Sequence, residues 1–390
     1  MNPVYATLPT TIFEKMSALA RESGAINLGQ GFPDAPGPTD IREAAARALV
    51  ERSNQYPPML GLDELRQAVA EHYGEHQGLA LDWDKEIVIT SGATEAIAAA
   101  ILSLLSPGDE AVLVQPLYDA YLPMVRRAGG IARLIRLEPP HWTLDAAALD
   151  AVITDRTRLM IFNNPANPTG RIYDRATLEL IADRCIRHDL IALCDEVWEH
   201  VVFDGEHVPL IALPGMRERT VKIGSAGKIF ALTGWKVGWI VAGEALARQA
   251  AKAHQFMTFT TPPNLQWAVA KGLGKPRAWF DEMRAGFARS RERLIAGLRA
   301  AGYVPLPSQA TWFVSVDLAA SGIAMTDAAF ADLMALEGGV VTIPVSAFFE
   351  DTPVTNILRL CYCKDAAVLD EAVARLKAMR ERLVGKSLAS

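Results

Sequence analysis

Ile87-Val88-Ile89-Thr90 runs directly into Ser91-Gly92-Ala93-Thr94-Glu95 and then into the alanine-rich apolar stretch Ala96 to Leu105. The first four residues read as a short strand. The small polar residues that follow turn the chain into a helix, which Pro107-Gly108 stops. The same alternation recurs downstream. Ala111 to Val114, Ala132 to Leu137, Leu159 to Phe162, Leu190 to Cys194, Val221 to Ile223 and Val237 to Val241 read as strands, with helical patterns at Tyr121 to Ala128 and Ala176 to His188. Short continuous apolar runs separated by helices predict an α/β fold with a mostly parallel central sheet covered on both faces. Functional residues of such sheets gather at the carboxyl ends of the strands. Ser91 to Thr94, Tyr118, Asn163 to Asn167, Asp195 and Ser225 to Lys228 stand there.

After residue 280 the texture changes to a long polar-faced helix (Phe280 to Arg299), strands near 311–316, 340–344 and 357–362, and further helices. This predicts a smaller α+β domain. The expected division is a large domain over 41–280 and a small one over 1–40 and 281–390. Half of the 390 residues are hydrophobic and 22% are charged, as in an ordinary soluble protein. A net charge of -6 without a dense Lys/Arg stripe argues against a nucleic-acid partner. Four cysteines (Cys185, Cys194, Cys361 and Cys363) in so long a chain point to a reducing compartment. Cys361 and Cys363 should face one side of a strand and read as buried thiols. The longest apolar run is about half the ~20 residues that span a bilayer, and the N-terminus lacks the pattern of a secretory signal. A cytoplasmic protein without a membrane partner is expected.

Gly224-Ser225-Ala226-Gly227-Lys228, followed by Thr233-Gly234-Trp235-Lys236-Val237-Gly238, carries the chemistry. A lysine in a small-residue turn can condense with an aldehyde cofactor. A hydroxyl three residues before it and a cation eight residues after it can hold that cofactor's phosphate. Pyridoxal phosphate (PLP) fits this description. Ser91 to Glu95 would present backbone N–H groups to a phosphate at a helix N-terminus, or would simply be capped by Ser91 or Thr94. Two Asn-Pro steps in Asn163 to Gly170 make a rigid loop, from which Asn167 could bond a ring oxygen. Asp195 ends an apolar strand and needs a partner there; a protonated pyridine nitrogen would serve. Arg359, a lone cation inside Ile357 to Cys361, suits a substrate carboxylate or an internal acid. Asp195, Glu196, Glu199 and His200 lack metal-ligand spacing, so no metal is expected. Lys222 and Ile229 break a Walker A pattern, and Asp34 breaks the dinucleotide fingerprint begun at Gly29.

Together these motifs, in this order, resemble the PLP-dependent aminotransferases of fold type I, class I/II, and most of all their kynurenine, glutamine and methionine branch. Asn27 to Asp34, Asn54-Gln55-Tyr56, Gln115 to Tyr121, Asn164 to Gly170, Asp195-Glu196-Val197, Ser225 to Lys228 and Arg359 carry the likeness across nearly the whole chain. The resemblance implies that Lys228 binds the cofactor and carries the substrate's proton. It places Ala93, Thr94, Ser225 and Lys236 on the phosphate, Tyr118 on the ring face, Asn167 on the ring oxygen and Asp195 on the ring nitrogen. Arg359, with the Gly31 backbone nearby, would hold the substrate carboxylate, and Phe13 would line the substrate pocket. Tyr56 would reach the phosphate of a neighbouring subunit, which implies a homodimer. Trp198 stands where the family usually has a tyrosine that donates to the ring oxygen; an indole can donate but cannot ionise. Lys236 replaces the arginine of some relatives, and Ile229 a usual threonine.

The implied activity is ping-pong transfer of an amino group from an L-amino acid to a 2-oxo acid. Phe13, Tyr118, Phe348 and Phe349 suggest an apolar pocket for methionine, glutamine or aromatic side chains. Succinyl-diaminopimelate transamination and β-elimination from cysteine conjugates are the alternatives. A regulator with an aminotransferase-like domain would need a DNA-binding module, for which the N-terminus offers no room.

Overall fold

The computed structural model describes residues 1–387. The largest sheet among them has seven strands: β1 (Ile87–Thr90), β2 (Glu110–Gln115), β3 (Ile131–Arg136), β4 (Thr157–Asn163), β5 (Ile191–Asp195), β6 (Thr220–Ser225) and β7 (Gly238–Ala242). Their order is β1-β7-β6-β5-β4-β2-β3. β2 to β6 run parallel. The continuous apolar runs are explained by cover on both faces. Leu159, Ile161, Leu193, Val221 and Ile223 pack with Ala96, Ala100 and Ile101 of helix α1 (Ala93–Leu104). Met160, Phe162, Ala192 and Cys194, one residue out of phase, pack with Leu178 and Ile181 of the helix Arg175–Arg187. Each valine, leucine, isoleucine, methionine and phenylalanine among them contributes roughly 1.5–3 kcal/mol when fully buried.

β7 is the exception, antiparallel to both β1 and β6. A parallel return needs a crossover of about a dozen residues or more with its own helix. The stretch between Ser225 and Gly238 holds only one helical turn at Ala226–Ile229 and a 3-10 turn at Thr233–Trp235, so the chain re-enters the sheet at the edge it has just left. Thr90, Gly238 and Ser225 therefore lie side by side in register, and Asn163 lies beside Asp195. One edge of the sheet collects most of the chemistry foreseen in the sequence.

A second sheet is antiparallel, built from β8 (Val304–Pro305), β9 (Phe313–Asp317), β10 (Ile343–Pro344) and β11 (Ile357–Cys361) in the order β10-β11-β9-β8. Arg359 of β11 stands between Ser315 and Ile343. The N-terminal segment joins this part of the molecule. Ile26–Asn27 pairs with Val340–Val341, and Met16, Ala20 and Leu28 share a core with Leu294, Phe330 and Leu358. That packing brings Gly29 to Gly31 against β11.

Candidate active site

Lys228 projects from the turn after β6. Its Nζ lies 4.8 Å from the ring centroid of Trp198 and 5.5 Å from that of Trp312. Burial pulls the amine down from 10.5 to about 8, against the influence of Cys363 and Asp195. An ordinary lysine is almost wholly protonated at neutral pH; this one has a usable neutral fraction, which is what a nucleophile and base requires.

The helix junction is built for an anion. Gly92 caps α1 with φ 79° and has no side chain to offer, so the first N–H groups are left to another partner. Ser91 does not cap the helix; its N–H is bonded to Glu95 Oε2 at 3.0 Å and its hydroxyl pairs with Thr261 Oγ1 at 2.9 Å. Lys236 takes the left-handed backbone conformation (φ 53°), a strained one for a residue with a Cβ. Its ammonium reaches Gly92 so closely that an added Cβ there would sit 3.3 Å from Nζ. No carboxylate pairs with Lys236 among the described residues. Gly238 makes this approach possible, because a Cβ on it would lie 2.7 Å from the Gly92 carbonyl carbon and 2.8 Å from the Ala93 nitrogen.

Asp195 is buried at the end of β5. Its Oδ2 accepts from the Tyr121 hydroxyl at 2.6 Å, and Oδ1 accepts a long bond from the Val197 N–H at 3.4 Å. Burial pushes its carboxyl up, although both hydrogen bonds favour the anion. Asn163 Nδ2 donates to the Asp195 carbonyl at 2.7 Å, and its Oδ1 accepts from the Asn167 N–H at 2.7 Å. Tyr118 shares a hydrogen bond with Thr94 and meets the Tyr121 ring edge-on at 5.7 Å; burial pushes its phenol up to about 12.

Arg359 is 1% exposed, yet no carboxylate pairs with it among the described residues. Nη1 donates to Asn167 Oδ1 at 2.8 Å, Nη2 donates to the Gly29 carbonyl, and Nε has no partner. A guanidinium only donates, so it holds the Asn167 amide with its oxygen inward and leaves the NH₂ to donate elsewhere. Phe313, Phe13 and Phe348 surround the guanidinium at 3.9, 5.2 and 5.3 Å. Burial lowers its pKa to about 10.

Three charges with no ion-pair partner among the described residues thus line one cavity of about 350 Å³: Lys236 at the helix N-terminus, Asp195 and Arg359. PLP together with an amino acid supplies the three missing partners as a phosphate, a protonated ring nitrogen and an α-carboxylate. The residues fit that pair, and Lys228 lines the same cavity.

The profile of one family, aminotransferase class I and II, matches residues 23–376. The chain belongs to the class I and II aminotransferases. It is a PLP-dependent enzyme of fold type I, acting on amino acids and 2-oxo acids, within the kynurenine, glutamine and methionine branch. This aminotransferase is 40% identical over 385 residues to the "Probable N-succinyldiaminopimelate aminotransferase DapC" of Mycobacterium tuberculosis, across 96% of this chain and 97% of that one. It is 37% identical over 371 residues to the methionine aminotransferase of Escherichia coli, across 95% and 96% of the two chains. The solved N-succinyldiaminopimelate aminotransferase of Mycobacterium tuberculosis matches with a TM-score of 0.94 at 40% identity, covering 97% of this chain and all of that one.

The aminotransferase cavity is lined by Phe13, Gly31, Ala93, Thr94, Tyr118, Asn167, Asp195, Trp198, Ser225, Lys228, Lys236 and Arg359, all expected from the sequence. Tyr56 is elsewhere: it is 82% exposed and meets Phe259 edge-on at 5.5 Å. Phe349 corrects an expectation. It lies 6.0 Å from the Arg136 guanidinium and packs against the core of β2 and β4, because the turn Val345–Phe348 ends there and sends adjacent side chains to different places. Phe348 alone of that pair meets Phe13, edge-on at 5.8 Å. The Trp198 ring meets Trp312 and Phe313 edge-on at 4.9 and 5.4 Å. Tyr121 and Phe313 were not foreseen as site residues; Tyr121 opens a helix and Phe313 opens a strand, and only folding brings them to the site. Glu196 and Glu199, which with His207 could hold a metal, both accept from the buried Lys222 ammonium at 2.5 Å. Among the described residues no helix is long and apolar enough to cross a membrane.

Proposed function

We propose that this aminotransferase takes its amino group from an L-amino acid with an uncharged side chain, methionine, glutamine or an aromatic, in a ping-pong cycle. One observation carries the choice. Arg359 is the single arginine lining the cavity among the described residues, and the rings of Phe13, Phe313 and Phe348 stand over it. One guanidinium matches one carboxylate, and the aromatic wall around it favours an uncharged side chain.

When bound, PLP supplies the electron sink that makes the Cα–H of the amino acid acidic. Lys236, Ser225 and the first N–H groups of α1 hold the phosphate. Asp195, whose anion the Tyr121 hydroxyl favours against burial, would hold the proton on the ring nitrogen, and the Asn167 amide would donate to the ring oxygen. Arg359 orients the α-carboxylate. Lys228, whose burial gives it a usable neutral fraction near pH 7, would take the Cα proton and return it. Trp198 contributes a non-ionising wall beside that amine.

The active unit in this reading is a homodimer in which Tyr56 completes the partner's phosphate site. Its 82% exposure supports this. Two cores support the division into 41–280 and 1–40 with 281–390. Four free buried thiols suit the cytoplasm. A second reading, N-succinyl-diaminopimelate as donor, is favoured by the 40% identical relative. The test is the visible spectrum of the purified holoenzyme on adding excess methionine without an oxo acid. Loss of the aldehyde-form band in favour of the aminated form supports the first reading. A band indifferent to methionine, glutamine and phenylalanine but discharged by N-succinyl-diaminopimelate overturns it for the second.

A further inference from the structure

Cys361 and Cys363 are both buried and unpaired, and their sulfurs stand 2.9 Å apart. Alternation along an extended chain puts Arg359, Cys361 and Cys363 on one side of β11 and its continuation. The two thiols belong to the core around Trp198, Trp312 and Phe313, the rings that also surround Lys228 and Arg359. Cys363 lines a second cavity, of about 440 Å³, with Trp279, Met283, Phe287 and Lys364. This cavity would bring a small oxidant to the edge of the pair without crossing the substrate cavity, with the Cys361 sulfur 2.9 Å beyond that of Cys363.

We propose that Cys361 and Cys363 are a modification site, a dithiol that hydroperoxides close to a disulfide and that thereby weakens substrate binding at Arg359. One thiolate attacks a peroxide oxygen, the O–O bond breaks, and a sulfenic acid and an alcohol or water result. The second thiol attacks that sulfur, the S–S bond forms and water leaves. Two thiols are oxidised and one peroxide is reduced, with no other reactant. Burial works against ionisation of Cys361, yet the Cys363 hydrogen bonds and the charges of Lys364 and Arg359 hold its thiol below the ordinary value, while Cys363 is pushed up. One sulfur is thus the nucleophile and the other the resolving thiol.

The backbone here is tied on both sides. Cys361 N–H donates to the Leu28 carbonyl at 2.7 Å, and Tyr362 N–H to that of Trp312 at 3.0 Å. Lys364 Nζ bonds Asp34 Oδ1 at 2.6 Å and the Phe32 carbonyl at 3.2 Å, fixing the loop next to Gly31. Bringing the sulfurs to ~2.0 Å pulls Cys361 and Cys363 together. That pull acts on the strand carrying Arg359 and on the anchor of the Gly31 loop, the two sides of the carboxylate position. A shift of about 1 Å there costs on the order of 10–100-fold.

The test treats the holoenzyme with hydrogen peroxide, then blocks free thiols and maps peptides. The expected result is loss of two of the four thiols, one peptide lighter by two hydrogens that contains 361 and 363, and a KM for the amino donor raised on the order of 10–100-fold, all reversed by a dithiol reductant. Cys363→Ser and Cys363→Val should show no peroxide effect on KM, each measured against its own untreated value. Four intact thiols after treatment, or an equal KM rise in both variants, would overturn the proposal. The peptide map is independent of substrate identity, so its outcome and that of the donor assignment are separable.

Discussion

Replacing Arg359 with Met should divide catalysis from stability. In the free protein the guanidinium is buried with no ion-pair partner among the described residues, and burial, opposed by Cys361, Asp119 and Cys363, takes its pKa from 12.5 to about 10. That shift corresponds to roughly 3 kcal/mol of strain on the charged form, which Arg359→Met removes. Against this stand the bonds to Asn167 Oδ1 and the Gly29 carbonyl. Leaving two buried acceptors unpaired costs about 1–3 kcal/mol each. The two effects nearly cancel, so the urea midpoint should move little. Substrate binding has no such compensation. Removing one partner of a buried, hydrogen-bonded charge pair costs about 2–5 kcal/mol, or roughly 30-fold to several thousandfold in kcat/KM. The assay is the single-turnover reaction of the holoenzyme with an L-amino acid and with the amine lacking its carboxylate. The variant should lose its preference for the acid and keep its slow reaction with the amine. Equal losses on acid and amine would refute the assignment of Arg359 to the carboxylate.

Gly238→Ala should weaken PLP binding while the chain still folds, because its Cβ would press on the Gly92–Ala93 peptide at 2.7 and 2.8 Å. Overpacking of this kind costs about 1–3 kcal/mol, roughly 5- to 150-fold in the dissociation constant by spectral titration; unchanged affinity would remove Gly92 from the phosphate cradle. His72 should make the fold acid-sensitive. Burial, with His76 adding to it, lowers its pKa from 6.5 to about 3, and its Nε2 accepts from His200 at 2.7 Å while Nδ1 donates to the Leu273 carbonyl. The unfolded chain binds this proton near pH 6.5 and the folded chain does not, so stability falls as pH drops below 6.5, by about 2 kcal/mol at pH 5. Urea unfolding of the protein and of His72→Gln at pH 7 and 5 measures this; an identical drop in the variant would show that His72 is not the titrating group.

Much of the architecture was legible because burial on both faces of a strand leaves a local mark. The run Leu159 to Phe162 needs no knowledge of its neighbours to be read as covered on both faces, and Lys228 among small residues needs none to be read as reactive. The antiparallel entry of β7 was less legible, since it depends on how little chain separates Ser225 from Gly238 once the Lys228 turn is folded. Ser91 looked like a cap, and Gly92 is the cap, because the decision rests on a backbone angle and on Thr261, far away in the chain. Phe348 and Phe349 are indistinguishable as letters; the end of one turn separates them.

Arg359 marks the boundary between the two kinds of information. Its sequence setting, one cation in an apolar strand, demanded a partner and left open whether that partner was internal. Three-dimensional packing answered by surrounding it with Phe13, Phe313 and Phe348, and by bringing Asn167 and Gly29 from 192 and 330 residues away. Local periodicity reports which way a side chain faces. Whether a buried charge is matched depends on groups that meet only after the chain has closed on itself, and the proposed binding site rests on the charges left unmatched.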